Sequence, residues 1–425
     1  MTALSITSLK NKINKRIRVS NYKSDFQEIG SFIKKKRKEL NVTQDVISSG
    51  ICSISYLSKI ENNQIIPNRY YVREIMNKLD VEESFYQKTI DEKLYLNSLI
   101  KGIFYLDDEL VKKTYDEIKD IEHNLVINIA KLGYYIYFHK EDKNQYVMML
   151  ENLVSNMDDF ELKIYLYLSA AYFISKEKYK TALEVLILGE KILVSNDYLN
   201  ALISEYSYLA KQRLFRKNSS SEDYLNAQNI YHKHNNTKRV IMLVLWKTRY
   251  LAKENPIKAL KILDLIKESL MNEYLKAFYS IVKAEILFLL NKYQEATLSL
   301  NNIDNKSDFF YQKMILLFSI CKIEKDEGML EEINNVLTSF MPDRFQLKYK
   351  VQYHYLLLDK EEDLKEYLRD IAIPYSIKIE DYYGLKQYTL DIMDICINKS
   401  RYKEATQFYK KYQREVFRIQ KITYE

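Results

Sequence analysis

The chain is 425 residues long, 47% apolar and 29% charged, with a formal net charge of +7. Seven glycines and four prolines are too few for a strand-rich fold with many tight turns, and neither GxGxxG nor a P-loop motif occurs. The longest apolar runs, such as 240–246, fall far short of the ~20 residues that cross a bilayer, and no apolar leader opens the chain, so a cytoplasmic, all-α protein with no membrane partner is expected.

Cys52, Cys321 and Cys396 lie far apart and give no disulfide framework. His232 and His234 would point in different directions on a helix, so no metal site is expected. No nucleophile elbow, zinc spacing or His–Ser/Cys motif is present, and the carboxylates scatter along amphipathic helices. The expectation is a non-enzyme with no cofactor.

The charge is unevenly spread. Residues 1–80 carry 15 Lys/Arg against 7 Asp/Glu, whereas the remaining 345 carry 50 against 51. A basic head on a neutral body suggests a polyanion-binding module. Six of those cations precede the first acidic residue, Asp25, so residues 1–24 read as a basic flexible arm, either disordered or following a minor groove.

From Asp25 to Asp80 the pattern is that of short helices. Phe26, Ile29, Ile33 and Leu40 fall near helical spacing, Thr43 and Ser53 are N-caps, and Gly50 supplies a sharp turn. In the third helix Ile54, Leu57 and Ile60 form the expected buried stripe. Ser55, Tyr56 and Lys59 lie opposite, and short polar or basic side chains on such a helix suit major-groove readout. Val72, Ile75, Met76 and Leu79 would close the head.

The run Gly50-Ile-Cys-Ser-Ile-Ser-Tyr-Leu-Ser-Lys-Ile-Glu-Asn-Asn63, with Ile29-Gly30, Arg37 and Thr43-Gln44, resembles the lambda-repressor-like (XRE) helix-turn-helix. Its form resembles the Gram-positive peptide-pheromone receptors, the Rap, Rgg, NprR, PlcR and PrgX group. The resemblance implies DNA contacts from Thr43, Gln44, Ser53, Ser55, Tyr56, Lys59, Asn62 and Asn63, and a structural ion pair between Arg37 and Glu61.

A linker is expected over 81–95, followed by a repeat domain over 96–425. Lys178–Leu186, Asn255–Leu263, Lys292–Leu300 and Arg401–Tyr409 share one pattern centred on Ala182, Ala259, Ala296 and Ala405. Those alanines are spaced by multiples of about 36–38 residues, and Ala170 and Ala284 sit twelve before two of them. This resembles the tetratricopeptide pattern and implies a right-handed α-solenoid of roughly nine helix pairs. Units 197–235 and 309–340 match weakly; loops are expected at Ser219–Ser221, Pro342 and Pro374.

A solenoid lined by the first helix of each pair offers a groove for an extended peptide, with polar groups for its backbone and aromatics for its side chains. Candidates there are Asn128, Tyr135, Tyr165, Tyr172, Asn200, Arg213, Arg249, Lys283, Gln312 and Tyr353. Head, repeats and their order together imply a transcriptional regulator that binds a double-stranded operator as a homodimer and is controlled by a short signalling peptide. The alternative is a repeat-based module that sequesters or dephosphorylates a response regulator.

Overall fold

The computed structural model describes residues 27–62, 65, 67–81, 83–121, 125–140, 143–214, 217–339 and 347–420. The head comprises α1 (Gln27–Glu39), α2 (Gln44–Ser48), α3 (Ile54–Glu61) and α4 (Arg69–Lys78). Thr43 and Ser53 cap α2 and α3 as their spacing predicts, each hydroxyl accepting from the backbone N–H three residues on. Gly50 has a φ of +72°, the left-handed region that glycine enters without steric cost.

Ile33, Ile47, Leu57, Ile60, Ile75 and Leu79 close the core of the head, each no more than 2% exposed. Two residues depart from the expected stripes. Ile54 is 47% and Leu40 50% exposed, because each stands at the end of a short helix, where the first or last turn projects beyond the small core. Phe26 lies outside the described residues.

The body is built of nine helix pairs among the described residues. They are α5 (Glu83–Tyr105) with α6 (Asp108–Ile118), α7 (Leu125–Tyr137) with α8 (Lys143–Asn152), and α9 (Asp159–Ser175) with α10 (Tyr179–Glu190). Next come α11 (Asp197–Arg213) with α12 (Lys217–Lys233), α13 (Thr237–Ala252) with α14 (Pro256–Leu263), and α15 (Glu273–Leu289) with α16 (Tyr293–Asn301). The last are α17 (Phe310–Glu324) with α18 (Glu327–Ser339), α19 (Leu347–Leu357) with α20 (Glu361–Tyr367), and α22 (Tyr382–Asn398) with α23 (Tyr402–Gln420). A π turn, Leu368–Ala372, joins α20 to α21 (Ile373–Lys378).

The repeat alanines sit where helices approach most closely. Ala170, Ala182, Ala259, Ala284 and Ala296 are fully buried and Ala405 nearly so. A larger side chain there would force paired helices apart. Asparagine and aspartate set many of the starts: Asp107, Asn236, Asn255 and Asn272 each accept from the third backbone N–H of the following helix. With so few glycines, left-handed corners fall to ordinary residues. Glu177, Asn291 and Ser400, each five before a repeat alanine, have φ of 58°, 58° and 59°.

Three expected loops or linkers are helical or lie elsewhere. Residues 83–95 belong to α5, and no glycine or proline interrupts the chain from Val81 to Lys101. Ser219–Ser221 lie within the first turn and a half of α12, where serine competes least with helical bonding; Ser220 is buried and accepts from Gln212 Nε2 at 2.9 Å. Pro374 lies in α21 directly after the π turn, whose i→i+5 bonding relieves the interior of a helix of a missing N–H. Pro342 lies outside the described residues.

By packing, the chain forms two compact units. One comprises residues 1–176 and 181–207, the other 177–180 and 208–425. Among the described residues no helix is long and apolar enough to cross a membrane.

Candidate functional sites: a recognition helix and a charged cluster

In the first unit, α3 presents a polar face. Ser55 and Lys59 are exposed, while Leu57 and Ile60 on the other side are buried. Tyr56 is half-buried: its ring packs on the core of the head, 5.2 Å from that of Tyr71. Thr43 and Ser53 are exposed, each engaged as a cap. Asn62 ends α3, donating to Ser58 Oγ at 3.4 Å and accepting from Lys34 Nζ at 2.8 Å. Asn63 lies outside the described residues.

Arg37 fixes α3 against α1. Its Nε donates to Glu61 Oε1 at 2.6 Å, Nη2 to Glu61 Oε2 at 2.9 Å, and Nη1 to the carbonyl of Val42 at 3.0 Å. Gln44 Nε2 adds a bond to Glu61 Oε2 at 2.8 Å. Glu61 is 2% exposed, so its buried carboxylate is held by a planar fork plus an amide. The hydrogen bond to Glu61 holds the Arg37 guanidinium above its ordinary range. One side of α3 is thereby anchored while Ser55 and Lys59 stay at the surface.

The remaining candidates divide by position. Tyr165 and Tyr353 are core: both are at most 1% exposed, and Tyr165 donates to the carbonyl of Val147 at 3.1 Å. Tyr135 lies half-buried in an aromatic group, its hydroxyl 2.9 Å from that of Tyr115. Asn128 and Tyr172 are half-buried, Asn200 accepts from Lys163 Nζ at 2.7 Å, and Lys283 lies over the Tyr279 ring.

Arg213, Arg249 and Gln312 converge in the second unit. Arg213, Arg249 and Glu285 are separated by 36 residues each, one repeat period, at the same face of α11, α13 and α15. Arg249 grips Glu285 with two nitrogens, Nε at 2.7 Å, and Nη2 also donates to Gln312 Oε1 at 3.1 Å. Gln312 Nε2 donates in turn to Tyr349 Oη at 2.6 Å. Four first helices thus contribute to one hydrogen-bonded chain.

Around Arg213 the cluster is dense in charge. Its guanidinium lies 5.5 Å from the Tyr179 ring and 6.0 Å from that of Tyr250. Lys253 Nζ sits 3.5 Å from the centre of the Tyr383 ring. Lys348 Nζ is 3.8 Å from Glu177, whose carboxylate also accepts from Tyr375 Oη at 2.8 Å. Asp381 is buried: burial pushes its carboxyl up, but Lys348, Arg213 and Lys253 outweigh that and hold it below the ordinary range. Desolvation, then repulsion from Arg213, pushes Lys253 down to about 7, and the same two causes lower Lys348.

Sequence reasoning placed Arg213, Arg249 and Gln312 here and missed Lys253, Lys348, Glu177, Glu285 and Asp381. The 36-residue recurrence of charge at 213, 249 and 285 was the available signal. Asp381 had none, since an aspartate before a helix reads as a cap.

Residues 33–86 match the helix-turn-helix family HTH_3. The chain is 24% identical over 410 residues to the transcriptional activator NprA of Geobacillus stearothermophilus, with 86% of this chain and 97% of that protein covered. Its fold is similar to that of a Rap protein solved in complex with Competence and Sporulation Factor (TM-score 0.63, 15% identity, 77% of this chain and 98% of that one). It is also similar to NprR solved in complex with its cognate peptide NprX (TM-score 0.61, 17% identity, 78% and 97%). The chain is thus an all-α protein with an XRE-type helix-turn-helix head and a tetratricopeptide-like body.

Proposed function

We propose that this protein is a cytoplasmic, DNA-binding transcriptional regulator of quorum-sensing type, controlled by a short peptide held on the first helices of its repeat body. The observation that carries the reading is the pairing, in one chain, of two features. One is a recognition helix with Ser55 and Lys59 exposed; the other is a repeat-built polar cluster that draws Arg213, Arg249 and Gln312 together. The relatives support it: one is named a transcriptional activator, and NprR is solved with its cognate peptide. The protein acts without catalysis.

α3 enters the major groove, where Ser55 and Lys59 meet base edges or phosphates, and Thr43, Ser53 and the Asn62–Asn63 turn lie along the backbone. Gln44 is set by Glu61, so its position on the duplex is fixed by the ion pair with Arg37. Two copies of the chain, each reading a half-site, place their recognition helices ~34 Å or a multiple of it apart. Peptide binding alters that spacing through the repeat body, by its difference in affinity for the two arrangements.

Selection of duplexes from a random pool by the full chain tests the DNA half. An enriched inverted repeat with a steep salt dependence is expected. Recovery of unselected sequence would contradict it.

A further inference from the structure

The charged cluster of the second unit holds more cations than anions. Arg213, Arg249, Lys253 and Lys348 face Glu177, Glu285 and Asp381. Arg249 is spent on Glu285, and Lys348 lies beside Glu177. Neither Arg213 nor Lys253 has a carboxylate within ion-pair distance among the described residues; each rests instead on tyrosine rings, Arg213 on Tyr179 and Tyr250, Lys253 on Tyr383. Cation–π contact is a weak substitute for a counter-ion in an enclosed site. Asp381, 7% exposed, has one carboxylate oxygen, Oδ1, with no hydrogen-bond donor. A buried acceptor left without a donor beside two cations that no carboxylate among the described residues touches directly is an arrangement that a ligand carrying both would complete.

We propose that Arg213 and Lys253 bind the free C-terminal carboxylate of the peptide, and that Asp381 Oδ1 accepts an amide N–H of the same peptide. The proposal rests on the peptide-receptor reading above and specifies which end of the ligand enters this cluster. The residues come from three parts of one unit: Arg213 ends α11, Lys253 follows α13, and Asp381 precedes α22. Lys253 stands at the rim of the cluster, its side chain partly exposed while Nζ lies over the Tyr383 ring, so the site can be entered by an incoming chain end. The Arg249–Glu285–Gln312–Tyr349 chain borders it, with both ends of the Gln312 amide engaged. A carboxylate between Arg213 and Lys253 also offsets the Arg213 repulsion that, after desolvation, lowers the lysine.

The test offers the immobilised full chain two equimolar libraries of random heptapeptides, identical except that one ends in free carboxylates and the other in C-terminal amides. Retained peptides are counted by mass spectrometry. The free-acid library is expected to be retained at least tenfold over the amide library. Lys253→Met is expected to erase that preference and Lys253→Arg, which keeps the charge, to retain it; the conservative variant separates loss of the carboxylate contact from loss of folding. Equal retention of acids and amides by the parent chain overturns the carboxylate assignment while leaving the peptide-receptor reading in place. Retention of neither library overturns the reading itself and the assignment with it.

Discussion

Arg37 and Glu61 stand 24 residues apart, and their side chains meet through two parallel hydrogen bonds of 2.6 and 2.9 Å. The contact ties the end of α1 to the end of α3 and, through Gln44, the start of α2 to both. It therefore fixes α3 against the core of the head.

Arg37→Met strands the buried Glu61 carboxylate with one amide donor. The expected cost is about 3 kcal/mol, in the range found when one partner of a buried pair is removed. Hydrogen exchange of the α3 amides reads this directly: protection in the head should fall while that of the second unit is unchanged. Unchanged protection in α3 would show that the pair does not hold the head together.

At the surface of α3 the effect should fall on binding rather than stability. Ser55→Ala and Lys59→Ala are each expected to cost roughly 1–3 kcal/mol of operator affinity if the side chain reads a base, relaxing preference at one base pair. If Lys59 instead meets a phosphate, the loss should be uniform across sequences and the salt slope should fall by about one. Anisotropy titrations over a range of salt distinguish the two. Parent-like affinity in both variants would remove α3 from the groove.

Gly384 lies in the first turn of α22, and a Cβ there would come within 2.7 Å of Asp381 Oδ2 and 3.1 Å of Ser376 Oγ. Gly384→Ala must displace the Asp381 carboxylate, at a cost of about 1–3 kcal/mol for an overpacked site. Peptide binding should weaken together with stability. Denaturant melts and peptide titrations of the same variant measure both; a silent substitution would mean that Asp381 is free to move.

Glu161, 4% exposed in the capping box with Asp158, is pushed up to about 7 by burial and by the Asp158 charge, against a partial pull from Lys35 and Lys93. Its ordinary value is near 4.5, so between pH 4.5 and 7 the native chain holds more protons here than the unfolded one. Stability from this group is full below that window and declines as pH rises through it. Glu161→Gln keeps an oxygen for the backbone N–H of Asp158 and should flatten the profile. Urea melts from pH 4.5 to 8 give the comparison, and an unaltered slope would place the titration elsewhere.

The fold was legible in the sequence where one residue type does one job. Alanines at a fixed period marked the close approaches of paired helices, and Thr43, Ser53 and Gly50 marked the ends of short ones. Reading failed where tertiary packing overrode composition. Three serines looked like a loop but opened α12, and Pro374 looked like a break but was absorbed by a π turn. The third helix, α3, was visible from its local pattern. The charged cluster was visible only in part, because Lys348 and Asp381 reach Arg213 across separations that no local pattern records. Tyrosines were the least informative, since Tyr165 and Tyr353 occupy first helices as the candidates required and lie in the core.

A peptide on the repeat body is expected to change how the head binds DNA. The direct measurement is operator affinity of the full chain, by anisotropy at fixed salt, without and with a saturating peptide recovered from the free-acid library. A change of at least tenfold, in either direction, is expected, equivalent to about 1.4 kcal/mol of coupling. Arg213→Met should lose that change while retaining operator binding in the absence of peptide. Identical operator affinity with the peptide shown to be bound would contradict the account.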